Sequence, residues 1–508
     1  MHEGSMVKLY TSGNLMKDLR GVLSQEDRLP ELISFVDFLE TKPLPDANGL
    51  IITNEYIRFP LDWFNTAPPY LFPEEIELTP QRLLAFVFAR LGNFSKATWY
   101  LRDQSALRNE LDILNELILG MPVDPARLAT ADLSPFEEYR LFHNTAILRH
   151  YAPHDLHADP EKTAYFYEEA LQAAPNDEYK AFSARHYCEF LIDQGGFEVA
   201  ISLIQDVSLP GLSKEAAIEM DAAWCRAGMK CLTPPYDPRL LAGLKDKLWK
   251  VLEAFEKQDR TLEASLVRMD AAYIANISES FTEALGYLTK ALEVFRKEEQ
   301  SELLAGAQLQ KGTLLFTWAQ KGQPQFYKGA MESYQEALKI FSREKAPEIF
   351  ADIHHRLGVI YAELPDEANK RGIWAGISAA SFQEALRFFN RRDFPYDYAM
   401  VCNSYGNALT KFPAAVHTDN FEKALFYYQE ALNIRTPEAY PLERSLTLLN
   451  YLEACWYIGD EAGIFNEIRY QDMLDKAHEV FRLTTDPKLQ ADATRHLEQL
   501  QRLKEVES

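Results

Sequence analysis

The sequence predicts an all-α fold, a right-handed α-solenoid of about nine helical hairpins with a cap at each end. A run that begins with alanine recurs along the second half of the chain. The lead alanines stand 46, 48, 46 and 46 residues apart, at Ala291, Ala337, Ala385, Ala431 and Ala477. A fixed period of this length is typical of stacked repeats, in which each unit buries its apolar face against the next. The 508 residues therefore need no series of separate globular cores.

Each unit of the period divides into two helices. A step of 21 residues occurs five times, from Val251 to Ala272, Ala291 to Gly312, Ala337 to Gly358, Ala385 to Gly406 and Ala431 to Leu452. This constant step predicts that the second helix of one unit meets the first helix of the next at a fixed register. A proline stands 11 residues before three of these sites, at Pro347, Pro395 and Pro441. Because the first turn of a helix tolerates proline, these prolines predict where first helices begin.

Small and aromatic residues recur in a pattern that resembles the tetratricopeptide repeat (TPR). One set is Gly406, Ala424, Tyr428 and Ala431, and a second is Gly312, Ala330, Tyr334 and Ala337. The resemblance implies that small residues lie where helices approach most closely and that aromatic rings fill the space between layers. These units have 46 residues, whereas a TPR has 34 and HEAT and armadillo repeats have about 40–47. The recurring signature favours TPR-like units, and we expect the added residues in longer helices or in connections such as 364–367 and 412–415.

One stretch has a narrower resemblance. Residues 391–424 are similar to long TPRs of bacterial proteins that also carry CHAT caspase-like protease domains. The resemblance covers one unit well and its neighbours loosely. The helical pattern continues to about residue 503, which leaves no room for such a protease in this chain. The resemblance therefore implies a bacterial regulatory or sensor context and not an activity.

The periodicity also suggests a division of the chain into four regions. Residues 1–80 form a proline-rich N-terminal cap, and residues 81–255 hold irregular TPR-like hairpins. Residues 256–484 hold the regular array, and residues 485–508 form a capping helix and tail. Caps are expected because the terminal repeats of an array would otherwise expose an apolar face.

The N-terminal cap has its own expected elements. Two short extended segments are predicted at 49–53 and 55–59, where apolar and aromatic residues are concentrated. A helix is predicted at about 29–39.

Charge and composition exclude several classes of partner. The net charge of −23 disfavours nucleic acid and anionic membranes, since both repel an acidic protein. The five cysteines show no zinc-knuckle spacing, which indicates reduced thiols. The N-terminus has no apolar run like that of a signal peptide, and no stretch approaches the ~18 apolar residues of a membrane helix. We therefore expect a cytoplasmic protein with a protein or peptide partner.

Catalytic and metal-binding chemistry has little support. One stretch carries candidate metal ligands at His143, His150, His154, His157 and Asp159. Pro153 interrupts any helical face there, so a surface loop is favoured over a metal site. His354 and His355 are adjacent and point in different directions on a helix. No nucleophile elbow or phosphate loop is present, and we expect no enzyme, no cofactor and no metal.

The candidate binding residues lie on the first helices, which line the concave groove in TPR proteins. By this resemblance, Asn403 and Asn407 flank Tyr405-Gly406 in the groove. An asparagine side chain carries both a donor and an acceptor, so it can hold a peptide backbone whatever the peptide's side chains. Further groove positions are Thr313, His355, Arg356, Lys411 and Glu453. The alternative is that Asn403 and Asn407 only bond to neighbouring helices.

These observations predict a non-enzymatic scaffold or regulatory adaptor that binds a protein or peptide in the groove. The alternative is a sensor subunit that binds a small signalling peptide or metabolite and works with a separate protease or effector. The aromatic content of 12% leaves room for such a ligand.

Overall fold

The computed structural model describes residues 7–37, 49–64, 68–128, 133–151, 159–364, 370–413, 419–459 and 465–507. The chain divides into two compact units, residues 1–258 and 259–508. We call them the N-terminal unit and the C-terminal unit.

The N-terminal unit begins with a small mixed sheet. Its strands are β1 (Val7–Thr11), β2 (Ile33–Asp37), β3 (Leu50–Ile52), β4 (Tyr56–Arg58) and β5 (Ile76–Glu77), in the order β2-β1-β3-β4-β5. Strand β1 pairs in parallel with β2 and β3, and the remaining pairs are antiparallel. A short helix, α1 (Met16–Leu23), connects β1 to β2. The extended segments predicted at 49–53 and 55–59 are confirmed as β3 and β4.

The helix predicted at 29–39 is wrong. Residues Leu29–Leu32 form one short 3-10 turn, and Ile33–Asp37 then form strand β2. Leu29 and Ile33 are both buried, so their spacing imitates one turn of an apolar helical face. The segment Ile33-Ser-Phe-Val-Asp is rich in residues that favour strands, and its pairing with β1 decides the conformation.

Nine helices follow the sheet in the described part of the N-terminal unit. They are α2 (Pro80–Arg90), α3 (Phe94–Tyr100), α4 (Ser105–Ile118), α5 (Pro135–His150), α6 (Pro160–Ala173), α7 (Asp177–Asp193), α8 (Phe197–Val207), α9 (Lys214–Lys230) and α10 (Pro238–Lys257). Consecutive helices pack as the hairpins α2/α3, α5/α6, α7/α8 and α9/α10.

The described residues of the C-terminal unit form helices joined by turns and short irregular segments. Its helices are α11 (Thr261–Ile277), α12 (Phe281–Lys297), α13 (Ser301–Gln320), α14 (Phe326–Ala337), α15 (Pro347–Glu363), α16 (Arg371–Phe388), α17 (Pro395–Leu409), α18 (Asn420–Ile434), α19 (Pro441–Cys455), α20 (Glu467–Leu483) and α21 (Pro487–Glu507). Five hairpins run from α11/α12 to α19/α20, and α21 packs against α19 and α20. The predicted all-α fold of stacked hairpins with a small terminal cap is confirmed.

The prolines mark the starts of first helices, as predicted. Pro347, Pro395 and Pro441 are the first residues of α15, α17 and α19. The predicted connections at 364–367 and 412–415 follow the ends of α15 and α17. Residues 365–369 and 414–418 lie outside the described residues.

The glycines of the repeat lie directly against aromatic rings. A Cβ atom on Gly312 would lie 2.7 Å from the Tyr334 ring, and one on Gly406 would lie 2.5 Å from the Tyr428 ring. Gly358 meets the ring of Phe382 in the same way, at 2.9 Å. Each ring belongs to the second helix of a hairpin and each glycine to the first. Only a residue without a Cβ allows this approach, which explains the Gly/aromatic signature.

This contact gives a stability prediction. We expect Gly406→Ala to lower the free energy of unfolding by about 1–2 kcal/mol, because overpacking against Tyr428 outweighs the roughly 1 kcal/mol that alanine gains over glycine in a helix. Gly286 in α12 is a matched control, since nothing lies within 4 Å of its added Cβ. Gly286→Ala should raise stability by about 0.5–1 kcal/mol. Urea unfolding of both variants checks this, and the same sign of change for both would contradict it.

Candidate functional site

A cleft of about 580 Å³ lies along the first helices of the C-terminal unit. Helices α13, α15, α17 and α19 contribute most of its lining, with the start of α18. We call it the α17–α19 cleft and define it by Glu363, Asn407, Lys411, Asn450, Glu453 and Tyr457. Residues of four first helices thus line one shared cleft.

Three of the seven predicted binding residues line this cleft. They are Asn407 and Lys411, from α17 and the turn after it, and Glu453 from α19. Asn403 also lies on α17 and contacts the cleft indirectly, because its Oδ1 accepts a hydrogen bond from Asn450 Nδ2 at 3.3 Å. The sequence pattern therefore locates the cleft without identifying Asn450.

The other three predicted residues lie between helices and do not line the cleft. Thr313 accepts a hydrogen bond from the Tyr334 hydroxyl at 3.2 Å. His355 is buried beside Phe382, and burial lowers its pKa to about 4. Arg356 donates from Nε to Asp352 Oδ2 at 2.9 Å.

Two half-buried amide side chains in the cleft each have one group without a protein partner among the described residues. Asn407 Oδ1 accepts from the Tyr428 hydroxyl at 2.7 Å, which leaves its Nδ2 donor without a partner among the described residues. Asn450 donates from Nδ2 to Asn403 Oδ1. The Asn450 Oδ1 acceptor is therefore also without a partner among the described residues. A donor on α17 and an acceptor on α19 therefore face one cleft. This pair matches the two polar groups of a peptide unit.

Charges of both signs border the cleft. The Lys411 ammonium pairs with the Glu363 carboxylate, and the two side chains are 47% and 33% exposed. Glu453 lies 3.7 Å from the Arg495 guanidinium. Because exposed pairs of this kind are weakly held, an incoming charged group can replace either partner.

An aromatic pair forms another part of the cleft wall. The rings of Phe421 and Tyr457 stack with centroids 4.8 Å apart and an interplanar angle of 12°. Tyr457 is 61% exposed. An exposed stacked ring offers an apolar surface to a ligand side chain.

The candidate metal ligands that the structure describes, His143, His150 and Asp159, do not form a metal site. His143 and His150 lie within α5, so the expected surface loop is wrong for these two residues. Asp159 caps α6 by accepting from the Lys162 N–H at 3.1 Å. His154 and His157 lie outside the described residues, and the residues that are described contain no group of three or more potential ligands.

His143 is instead held by hydrogen bonds inside the N-terminal unit. Its Nε2 lies 2.9 Å from the Pro69 carbonyl oxygen, which can only accept, so Nε2 carries the proton. Its Nδ1 then accepts from the Ser183 hydroxyl at 2.8 Å. Burial lowers the pKa of His143 to about 4 and keeps the ring neutral.

The sequence pattern also missed an asparagine that holds a backbone. Asn144 on α5 accepts from the Leu71 N–H at 2.9 Å and donates to the Leu71 carbonyl at 2.8 Å. The sequence features that could have indicated this contact are an asparagine on a first helix and an extended proline-rich segment. The two lie 73 residues apart, so no local spacing connects them.

None of the described helices combines the length and the apolar character needed to cross a bilayer.

Comparison with known proteins shows similarity only among solved structures. No family model and no curated protein matches the chain. A STAND protein with a tetratricopeptide repeat sensor, PH0952 from Pyrococcus horikoshii, aligns over 79% of this chain at 17% identity with a TM-score of 0.45. The chain spans 57% of the length of that protein.

Two further structures align over most of the chain. Yeast Tom70 aligns over 84% of this chain and 83% of its own, at 14% identity with a TM-score of 0.35. The Cut9 complex with Hcn1 from the APC/C aligns over 83% and 86%, at 14% identity with a TM-score of 0.35. Similarity of this degree does not transfer a function. By its own helix pairing and glycine–aromatic contacts, the chain has a fold of stacked TPR-like helical hairpins.

Proposed function

We propose that the α17–α19 cleft binds an extended peptide segment of a partner protein and that the chain is a non-enzymatic scaffold or regulatory adaptor. The observation that carries this proposal is a pair of amide groups in one cleft, Asn407 Nδ2 and Asn450 Oδ1, that have no protein partner among the described residues. A peptide unit would supply the carbonyl to Asn407 and the N–H to Asn450. Unsatisfied polar groups at a ligand site gain most from such a partner.

The rest of the lining suits a peptide with mixed side chains. Lys411 and Glu453 offer opposite charges, and Tyr457 offers an exposed ring. Charged groups at a rim contribute mainly to the orientation and the association rate of a partner. Backbone recognition together with a charged rim is consistent with an adaptor that tolerates several sequences.

The test needs a defined ligand. A random peptide library displayed on phage is selected against the full-length protein, and an enriched peptide is labelled for fluorescence anisotropy. We expect the double variant Asn407→Ala with Asn450→Ala to weaken binding about 10-fold or more, since two backbone hydrogen bonds are lost. Asn433, an exposed residue on α18 outside the cleft, provides the control Asn433→Ala, which should bind like the wild type.

A second variant separates binding from folding. Asn407→Asp keeps an oxygen for the Tyr428 hydroxyl but removes the Nδ2 donor. We expect weaker peptide binding with an unchanged helical circular-dichroism signal. Wild-type affinity in both cleft variants would refute the site.

The second candidate function is a sensor for a small molecule, which would regulate a separate protease or effector. The observation in its favour is the cleft volume of about 580 Å³, which falls in the usual range for small-ligand sites. A thermal-shift screen of metabolites against short peptides distinguishes the two. A shift by a metabolite that Asn407→Asp abolishes, with none by peptides, would favour the sensor.

A further inference from the structure

A proline-rich segment of the N-terminal unit lies against its first helices like a bound peptide. Residues 68–73 read Pro-Pro-Tyr-Leu-Phe-Pro and form neither helix nor strand. Tyr70, Leu71 and Phe72 are 7%, 9% and 8% exposed. An extended segment with this degree of burial must have its backbone groups satisfied by other parts of the chain.

Side chains of α5 supply those backbone contacts. The Asn144 amide brackets Leu71, with one hydrogen bond to its N–H at 2.9 Å and one from Nδ2 to its carbonyl at 2.8 Å. His143 donates to the Pro69 carbonyl at 2.9 Å, and Arg140 donates to the Leu71 carbonyl at 3.4 Å. All four hydrogen bonds go to main-chain atoms of the segment. Contacts of this kind would hold another extended peptide equally well.

Helix α7 contacts the preceding residues in the same manner. Arg185 donates from Nη1 to the Trp63 carbonyl at 2.7 Å. The Trp63 ring meets Phe182 edge-on, with centroids 5.3 Å apart. Side chains of both α5 and α7 therefore donate to backbone carbonyls of this region.

The side chains of Tyr70 and Phe72 have different surroundings, one polar and one aromatic. The Tyr70 hydroxyl donates to the Glu110 carboxylate, which Arg140 also contacts at 3.0 Å. The Phe72 ring lies 4.7 Å from that of Phe59 and 5.4 Å from that of Phe86. One polar and one aromatic position therefore accompany the backbone contacts, which defines the chemistry of a suitable peptide.

The fit of the segment is incomplete. A cavity of about 50 Å³ remains among its residues and those of α5 and α7. Trp63 Nε1 and His186 Nε2 are buried and have no hydrogen-bond partner among the described residues. Close-packed protein cores rarely leave such groups, because an unsatisfied buried donor or acceptor is costly. Tyr70 and Phe72 of the segment belong to the hydrophobic core of the N-terminal unit, and the cavity lies beside them.

We propose that the face of α5 and α7 is a second peptide-binding surface, occupied in this structure by residues 68–73 of the same chain. A partner peptide of the same chemistry, an extended stretch with prolines, a tyrosine and an apolar residue, binds there when the internal segment leaves. While residues 68–73 occupy this surface, peptides that bind it more weakly than they do cannot bind. This site is separate from the α17–α19 cleft, and neither depends on the other.

The test uses a labelled synthetic peptide with the sequence of residues 68–75 and the full-length protein. In the protein, Tyr70→Ser with Phe72→Ser weakens the internal segment. We expect this variant to bind the peptide at least 10 times more tightly than the wild type does. A peptide with N-methylleucine at the Leu71 position lacks the N–H that Asn144 accepts from, and it should bind at least 10 times more weakly.

Two controls make the result decisive. Adding Asn144→Ala to the weakened variant should remove the difference between the plain and the methylated peptide. A scrambled peptide should not bind. Absence of binding by a variant that keeps its helical circular dichroism, or equal affinity for the two peptides, would overturn the proposal.

A measurement on the wild type covers the case in which the double variant does not fold. Hydrogen exchange should show the Leu71 amide opening at least 10 times more often than the central amides of α5 and α7. Equal protection of the segment and both helices would mean that residues 68–73 leave only on unfolding, and the proposal would be overturned.

Discussion

Replacing Arg185 by methionine is expected to lower the free energy of unfolding by about 3–5 kcal/mol, because it removes one charge partner of a buried carboxylate. Arg185 Nη2 lies 2.7 Å from Glu219 Oε2, and the two side chains are 4% and 2% exposed. The variant would leave the Glu219 charge in a low-dielectric interior without this guanidinium. It would also remove the hydrogen bond to the Trp63 carbonyl.

A double variant distinguishes this cause from a simple loss of packing. Arg185→Met with Glu219→Met replaces both charges by apolar groups, and we expect it to recover much of the lost stability. Lys257→Met is the control at an exposed pair, since Lys257 and Glu253 are 71% and 49% exposed. Lys257→Met should change the free energy of unfolding very little. Urea unfolding followed by circular dichroism measures these three variants and the single variant Glu219→Met, and a double variant as unstable as the sum of the two single variants would contradict the explanation.

The repeat register was predictable because its determinants are local. Pro395 begins α17 and Gly406 contacts Tyr428 for reasons that involve one hairpin only. Strand β2 was not predictable in this way. Its conformation depends on parallel pairing with β1, whose partner residues lie 26 positions away, as Val7 does from Ile33. A local apolar spacing is compatible with both structures, and the distant strand decides between them.

The candidate site was predictable only in part, for the same reason. Asn407 and Glu453 share the register of residues on the cleft side of first helices. Thr313 shares that register too, but its single hydroxyl accepts from the Tyr334 hydroxyl and donates to the Leu309 carbonyl, whereas Asn407 keeps its Nδ2 donor. Which side chains remain available depends on the neighbouring helix, and for Asn144 it depends on Leu71, a residue from a distant segment.

The stability of the N-terminal unit is expected to fall as the pH is lowered from about 6.5 to about 4, because His143 is buried as a neutral ring. Its pKa is lowered from 6.5 to about 4 by burial. The unfolded chain therefore binds a proton in this window that the folded chain does not bind. The contribution of His143 is fully present above pH 6.5 and is lost as the pH falls towards 4. A shift of this size corresponds to about 3 kcal/mol.

The variant His143→Gln tests this contribution. Its amide has a donor for the Pro69 carbonyl but no group that titrates between pH 4 and pH 7. We expect the difference in unfolding free energy between pH 7 and pH 4.5 to be smaller in the variant by about 2 kcal/mol. His478→Gln, at an exposed position on α20, is the control and should keep the wild-type difference. If both variants keep the wild-type difference in unfolding free energy between pH 7 and pH 4.5, protonation of His143 does not limit stability in acid.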